Sequence, residues 1–314
     1  MKIVALDVHR TFGQIAIHEA GTIRDAGRVT MEREAVLAFA KTLSRSDEVV
    51  LEETGNTAIL VKLLAPFVRR VVVANPLQVR AIANAKVKTD KIDARVLAKL
   101  HASGFLPEVW VADPETERKR RTIAERTQLV SQLTRLKNRV QSILHANLIP
   151  GYDGKLFTQR GRRWLDDAAL PDDQRRLVGR HLAEHDRLAE ELAVVDRVIA
   201  REALGNTDVR RLMTIGGVNA VVAASVLAAV GDINRFSSAE KLVSYFGLNP
   251  RVHQSGDHAA FHGRITKQGR SHARAMLVEA AWSIAAAPGP LRAFFRRVQT
   301  KKGNRWPPLQ PCAN

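Results

Sequence analysis

Four carboxylates carry the first chemical signal in this chain. Asp7 and Glu52 each close a short apolar run, Lys2–Asp7 and Glu48–Glu52. Acids at the ends of strands open onto a shared cleft. Asp90 and Asp93 stand three apart in a segment of helical spacing, so both project from one helix face. Leu97 and Leu100 extend that face and turn it inward. Acids on an inward stripe carry a desolvation cost that a cation would relieve. The only cysteine is Cys312, and no His pair lies beside the acids. The set is therefore hard oxygen, suited to Mg²⁺ or Mn²⁺. Two such ions clamp the attacking and leaving oxygens in phosphodiester chemistry. Asp7 or Asp90 alone reads more simply as a turn acid or a helix cap. The combination on one strand order favours a metal site.

The elements that must position these acids follow from periodicity. Lys2–Asp7, Gln14–His18 and Gly21–Met31 read as strands of a meander. Glu32–Leu43 and Asn56–Phe67 have helical spacing, and Glu48–Glu52 and Arg70–Ala74 read as strands. Pro76–Ala85 reads as a helix with Pro in its first turn, and Asp90–Ala102 as a helix that starts on an acid. The order β-β-β-α-β-α-β-α-α predicts a mixed sheet with helices on its faces. Leu129, Leu133, Leu136, Val140, Ile143 and Asn147 then step by four and three, the pattern of a coiled-coil seam. Leu188, Leu192, Val195 and Ile199 repeat it beyond a Gly- and Pro-punctuated stretch, 150–171. This predicts an antiparallel hairpin or an oligomerisation arm, with Asn147 tuning its register or the number of partners. The last third holds an Ala/Val-rich helix at 220–230, a capping box at Ser237–Glu240, a polar loop at 251–263 and a basic helix near 269–286. The expected division is 1–110 (α/β, metal-binding), 111–207 (helical) and 208–314 (mainly α).

Composition narrows the class. The 314 residues carry 49 Lys and Arg against 32 Asp and Glu, a net charge of +17. Residues 211–314 hold 14 basic and 4 acidic side chains, so +10 of the excess lies there. A polyanionic partner explains that bias better than solubility does. A single cysteine excludes a disulfide framework. No apolar run reaches the ~20 residues a membrane span needs, and Met1–Arg10 has no signal-peptide character. A soluble, cytosolic, strongly basic protein with no membrane partner is expected.

ALDVHR (5–10), LEETG (51–55) and KTDKIDARVLA (88–98) resemble the transposases of the insertion-sequence 110 family and the related Piv DNA invertases. The resemblance runs over about residues 1–300. It implies a RuvC-like domain of the ribonuclease H fold whose Asp-Glu-Asp-Asp set is Asp7, Glu52, Asp90 and Asp93. Glu53 rivals Glu52 on strand parity, and the family's Glu-x-Thr-Gly pattern selects Glu52. The resemblance further implies a coiled-coil middle, a mainly α C-terminal domain and a nucleophilic serine in a Ser-Gly pair, here Ser255-Gly256. His253, Asp257, His258 and His262 lie near that serine in sequence. A hydroxyl needs such a base, or a metal, to become nucleophilic. Lys267, Arg270 and Arg274, in FHGRITKQGRSHAR (261–274), are expected to hold phosphate.

The chain has no phosphate-loop motif. Rejoining DNA without nucleotide hydrolysis requires that bond energy be conserved, which a covalent phosphoserine does. Of the two tyrosines, Tyr245 sits in an apolar helix and reads as core. Ile215-Gly216-Gly217-Val218 resembles a helix-hairpin-helix loop, which grips DNA phosphate by backbone amides; Asn219 replaces its usual second glycine, with tolerance for positive φ. The implied partners are double-stranded DNA, a guide (bridge) RNA and further copies of the chain in a dimer or tetramer. The alternative is a Mg²⁺-dependent nuclease or Holliday-junction resolvase with no serine intermediate. Beyond Val298 the family continues in a basic helix, whereas Pro307, Pro308 and Pro311 forbid one here.

Overall fold

The computed structural model describes residues 1–83, 89–254, 256 and 261–302. The chain forms two compact units, Met1–Asp113 and Pro114 onward.

The first unit is built on a six-stranded sheet. Its strands are β1 (Ile3–Val8), β2 (Phe12–Glu19), β3 (Thr22–Thr30), β4 (Glu48–Glu52), β5 (Arg70–Ala74) and β6 (Glu108–Val109), in the order β3-β2-β1-β4-β5-β6. The first three form an antiparallel meander, and β4 and β5 add parallel to β1. This is the expected mixed sheet. The two-residue β6, antiparallel to β5, was not expected; it is too short to show periodicity.

Four helices connect and cover the strands: α1 (Arg33–Lys41), α2 (Thr57–Leu64), α3 (Pro76–Ile82) and α4 (Asp90–Ala102). β1 is buried along its whole length because both sheet faces are covered. Val4, Leu6, Val49 and Leu51 pack on one side with Val36 of α1 and Leu60 and Leu64 of α2. Ile3, Ala5, Val50 and Val72 pack on the other with Val79 of α3 and Leu97 and Ala98 of α4. The alternation fixes the register, since a one-residue slip would exchange the two cores.

The second unit begins with an antiparallel helical pair, α5 (Pro114–Ala146) and α7 (Asp172–Gly205). Ion pairs set its direction: Arg118 with Glu202 near one end and Arg126 Nε with Asp196 at 2.6 Å further in. Leu129, Leu133 and Leu136 pack against Leu188, Val195 and Ile199, so the seam is closed within the chain. Asn147 does not lie on that seam. It falls just past the end of α5, where its amide donates to the Ile143 carbonyl at 2.8 Å and to Gln174. The punctuated stretch contains a short helix, α6 (Gln159–Asp167), whose Leu165 joins Val140 and Leu144 in a satellite core.

The remaining elements among the described residues are α8 (Thr207–Met213), α9 (Ala220–Val230), a 3-10 turn (Ile233–Arg235), α10 (Ala239–Tyr245), β7 (Pro250–His253), β8 (Phe261–Ile265), α11 (Ser271–Ala286) and α12 (Pro290–Lys302). Ala228 of α9 enters the core of the helical pair, so residues 111–207 do not stand apart as a separate body. Part of the polar loop expected at 251–263 is the two-stranded ribbon β7–β8. Among the described residues, no helix is long and apolar enough to cross a membrane.

Candidate metal centre and nucleic-acid interface

Asp7 lies near the C-terminal end of β1, on the sheet face that α4 covers. The parallel register runs Ile3 to Glu48, Ala5 to Val50 and Leu6 to Leu51. Carried one residue further, it sets Glu52 beside Asp7. Glu52 also shares the face of Val50, whereas Glu53 has left the strand and its amide donates to the Ala74 carbonyl at 3.0 Å. The pleat therefore separates the two glutamates as sequence parity could not.

α4 runs antiparallel to β4. His101 near its C-terminal end meets Glu48 at 2.6 Å, so its N-terminal end lies toward Glu52 and Asp7. Arg95 grips Asp25 of β3 with two hydrogen bonds, at 2.8 and 2.6 Å. Thr89 caps the helix by accepting from the Ile92 amide at 3.3 Å. Asp90 and Asp93 occupy its first turn, where the dipole favours anions. The stripe they begin is inward, as expected: Leu97 is buried and Leu100 packs against the same core.

Asp7 and Asp90 meet at His9. Its Nε2 lies 3.2 Å from Asp7 Oδ2 and 3.3 Å from Asp90 Oδ1. One ligand atom from each of Asp7, His9 and Asp90 lies within 4.8 Å of the other two. Asp7 is buried at 8% exposure. Its carboxyl is pushed above the usual carboxylate range, chiefly by burial; Asp93 and Asp90 push the same way and His9 opposes them. Excess negative charge gathered in a desolvated corner, beside an imidazole, fits a divalent cation. Arg28 approaches Asp90 at 3.7 Å and stacks over Phe12 at 4.2 Å, bounding the corner with positive charge. His9 is the residue that sequence reading missed. Its place two positions after Asp7 was the available signal.

In the second unit, Ser255, Asp257 and His258 lie outside the described residues, and Gly256 takes a positive φ of 57°. The phosphate-binding expectation for the neighbouring cations meets a denser arrangement. Arg270 Nε donates to the Tyr245 hydroxyl at 2.9 Å, and Arg274 Nη1 to the Phe246 carbonyl at 2.8 Å. Both guanidinium groups thus tie α11 to the end of α10. Lys267 occupies a tight turn at φ 58°, its amide donating to Gly247 O at 3.1 Å. Tyr245 is half-buried and packs against the core of Ala229, Val230, Phe246 and Ala273, with its hydroxyl donating to Ala229 O at 2.9 Å.

Gly216 and Gly217 form the turn between α8 and α9. Gly217 has φ +83°, and a Cβ there would come within 2.8 Å of the Ala280 carbonyl on α11. Asn219 departs from the expectation. At φ −91° it serves as the N-cap of α9, its side chain accepting from the Val222 amide at 2.9 Å. The positive φ of the turn falls on Gly217 instead.

Acids at the C-terminal ends of two central strands, beside a helix N-terminus, define a candidate centre for cation-assisted phosphoryl chemistry. Comparison with known proteins gives the lineage. A DEDD transposase profile of the IS110 group matches residues 4–148. The profile of the IS116/IS110/IS902 transposase family matches residues 209–296. The chain is 28% identical over 293 residues to y4qE of Sinorhizobium fredii, which bears a transposase name, covering 91% of this chain and 72% of that one. It is 27% identical over 217 residues to the transposase for insertion sequence element IS1111A of Coxiella burnetii (68% and 57%). It is 27% identical over 244 residues to the pilin gene-inverting protein of Moraxella bovis (74% and 65%). The chain thus spans between 57% and 72% of the length of these relatives. Among solved structures, RuvC of T. thermophilus in complex with a Holliday junction substrate aligns with 35% of this chain and 99% of its own, at 14% identity and a TM-score of 0.23. The chain belongs to the IS116/IS110/IS902 family of transposases, and is an enzyme of the DNA transposase and recombinase class.

Proposed function

We propose that the protein cuts and rejoins DNA strands at the ends and target of an insertion sequence, with a serine as the transient attachment point. The observation that carries this reading is the convergence of Asp7, His9 and Asp90, with Glu52 in register beside Asp7 and Asp93 in the same helical turn. Asp7, Glu52, Asp90 and Asp93 would hold Mg²⁺ or Mn²⁺, with His9 as a further ligand or as the partner that orients Asp7. A bound divalent ion would supply Lewis-acid stabilisation of phosphate charge.

The Ser255 hydroxyl attacks the scissile phosphorus, its proton passes to a nearby base, and the bond to the 3′ oxygen breaks. The product is a 5′-phosphoserine and a free 3′ hydroxyl. Attack by another 3′ hydroxyl reverses the step and reseals a strand without loss of bond energy. The match of residues 209–296 to the family profile supports Ser255 in this role. The +10 charge of residues 211–314 supports double-stranded DNA and a guide RNA as partners. Assembly as a homo-oligomer completes the reading, since two DNAs must be held together.

The test is trapping of protein on a labelled DNA end in the presence of Mg²⁺. Wild type should yield a covalent adduct, and Ser255→Ala should yield none. Cleavage without adduct by both proteins would move the assignment to a water-using nuclease or resolvase.

A further inference from the structure

A β-bulge in β3 decides where its arginine goes. Gln14 pairs with Arg28 but Ala16 pairs with Asp25, so Ala26 and Gly27 together face Ile15 across the ladder. Gly27 takes φ +83°, a conformation such bulges give to glycine. An unbroken register from Asp25 would set Gly27 opposite Gln14 and turn Arg28 to the other face of the sheet. With the bulge, Asp7, Gln14 and Arg28 stand in one row across β1, β2 and β3, on the face that α4 covers.

Three contacts then fix the arginine. Gln14 is 1% exposed, a buried amide among Gly13, Ile15 and Ala16. Its Nε2 donates to the Gly27 carbonyl at 2.9 Å, and its Oε1 accepts from Arg28 Nε at 3.0 Å. The guanidinium lies over the Phe12 ring, which packs on the His9 ring at 4.9 Å between centroids. Arg28 Nη2 stands 3.7 Å from Asp90 Oδ2, an ion pair too long for a hydrogen bond. The Arg28 side chain is 56% exposed, so a ligand can reach the fork. A guanidinium held beside a cation corner is unfavourable on its own, because like charges repel. It becomes favourable when one anion touches both, and a planar fork matches the oxygens of a phosphate. Fixed cations of this kind stabilise the charge that builds on a phosphate during transfer.

We propose that Arg28 binds the DNA phosphate seated at the Asp7–Asp90 corner, and that Gln14 is the positioning residue that aims it. The choice of a DNA phosphate rests on the strand-transfer reading.

Two measurements on the full chain test this, and neither reads turnover. A fluorescein-labelled DNA duplex is titrated by anisotropy across a salt series in Ca²⁺, which takes oxygen ligands as Mg²⁺ does. Binding of Mn²⁺ without DNA is read by EPR. Arg28→Ala should weaken duplex binding about ten-fold and lower the salt slope by about 1. The same variant should bind Mn²⁺ as well or more tightly, since a neighbouring positive charge is gone. Arg28→Lys should restore the slope but only part of the affinity, because an ammonium lacks the fork. Arg24→Ala controls for bulk charge: Arg24 is exposed and pairs with Ile17, on the opposite face. Gln14→Met should weaken duplex binding about three-fold, and not at all in the Arg28→Ala background, the coupling expected of a residue that acts through another. An equal loss in both backgrounds would make Gln14 structural only. Should Gln14→Met unfold in a melting curve, the Arg28 variants decide alone. If Arg28→Ala binds DNA as Arg24→Ala does, the assignment is overturned. A loss of ~10-fold or more in Mn²⁺ affinity also overturns it, leaving Arg28 as a prop for Asp90. Neither measurement needs Ser255, so a wild type that forms no adduct would fail the strand-transfer reading and leave this comparison standing.

Discussion

Asp7 shows how one side chain gives up stability for chemistry. Its carboxylate is held in a corner where burial, Asp93 and Asp90 all disfavour the charge. Replacing it by the neutral isostere in Asp7→Asn should raise the melting temperature in EDTA while lowering strand cleavage by more than about 100-fold. Parallel melting and cleavage assays check both arms; a lower melting temperature would mean that the charge is compensated in the free protein. His9 makes a complementary case. Because Nε2 sits between Asp7 and Asp90, His9→Ala should raise the Mg²⁺ or Mn²⁺ concentration for half-maximal cleavage by about 10–100-fold, read from a metal titration. The sequence disclosed the acids because strand ends and helical spacing are local patterns. It did not disclose His9, since a histidine in a turn has no period; only the fold of residues 9–12 brings its ring to Asp90.

At the scale of elements, the helical pair and the α8–α9 turn invite direct tests. Leu136 lies in the shared core of α5 and α7, so Leu136→Ala should destabilise this unit by about 2–5 kcal/mol in urea unfolding. Gly217 combines a positive φ with a close approach to Ala280 on α11. Gly217→Ala should therefore cost more than the ~1 kcal/mol of a left-handed residue alone, as read from the same unfolding curves. The long helices, the meander and the parallel strands were legible because their apolar periods run over many residues. Several short elements, α8 among them, were not. β6 is two residues long, α6 lies in a stretch full of helix-breaking residues, and the β7–β8 ribbon is exposed along β7. A strand with no buried face has no alternation to reveal it. Asn147 illustrates a different failure: its spacing fits the seam, but the helix ends one residue earlier.

For the molecule as a whole, the acid response follows from histidines that the second unit buries in part. His181, His185 and His272 all have ring pKa values pushed below the ordinary histidine value, with burial the largest cause in each. Each therefore takes up a proton more readily when unfolded. Their contribution to stability is present above the unfolded pKa of about 6.5 and is lost as pH falls through the lower folded values. The melting temperature should accordingly drop on acidification below about pH 6.5. His185→Gln, at the ring stacked on Phe157 at 4.6 Å, should flatten that drop. Calorimetry across the pH series decides the matter.

The family profile that starts at residue 4 ends at residue 148, whereas the first compact unit ends at Asp113. The matched region thus includes α5 along with the sheet, although α5 buries Leu129, Leu133 and Leu136 against α7, which lies beyond both profiles. A chimera spliced between relatives at the profile boundary would divorce one half of a zipper from the other and expose two apolar stripes. A splice at Asp113–Pro114 would keep each zipper whole, so domain shuffling in this lineage, natural or engineered, should favour that breakpoint.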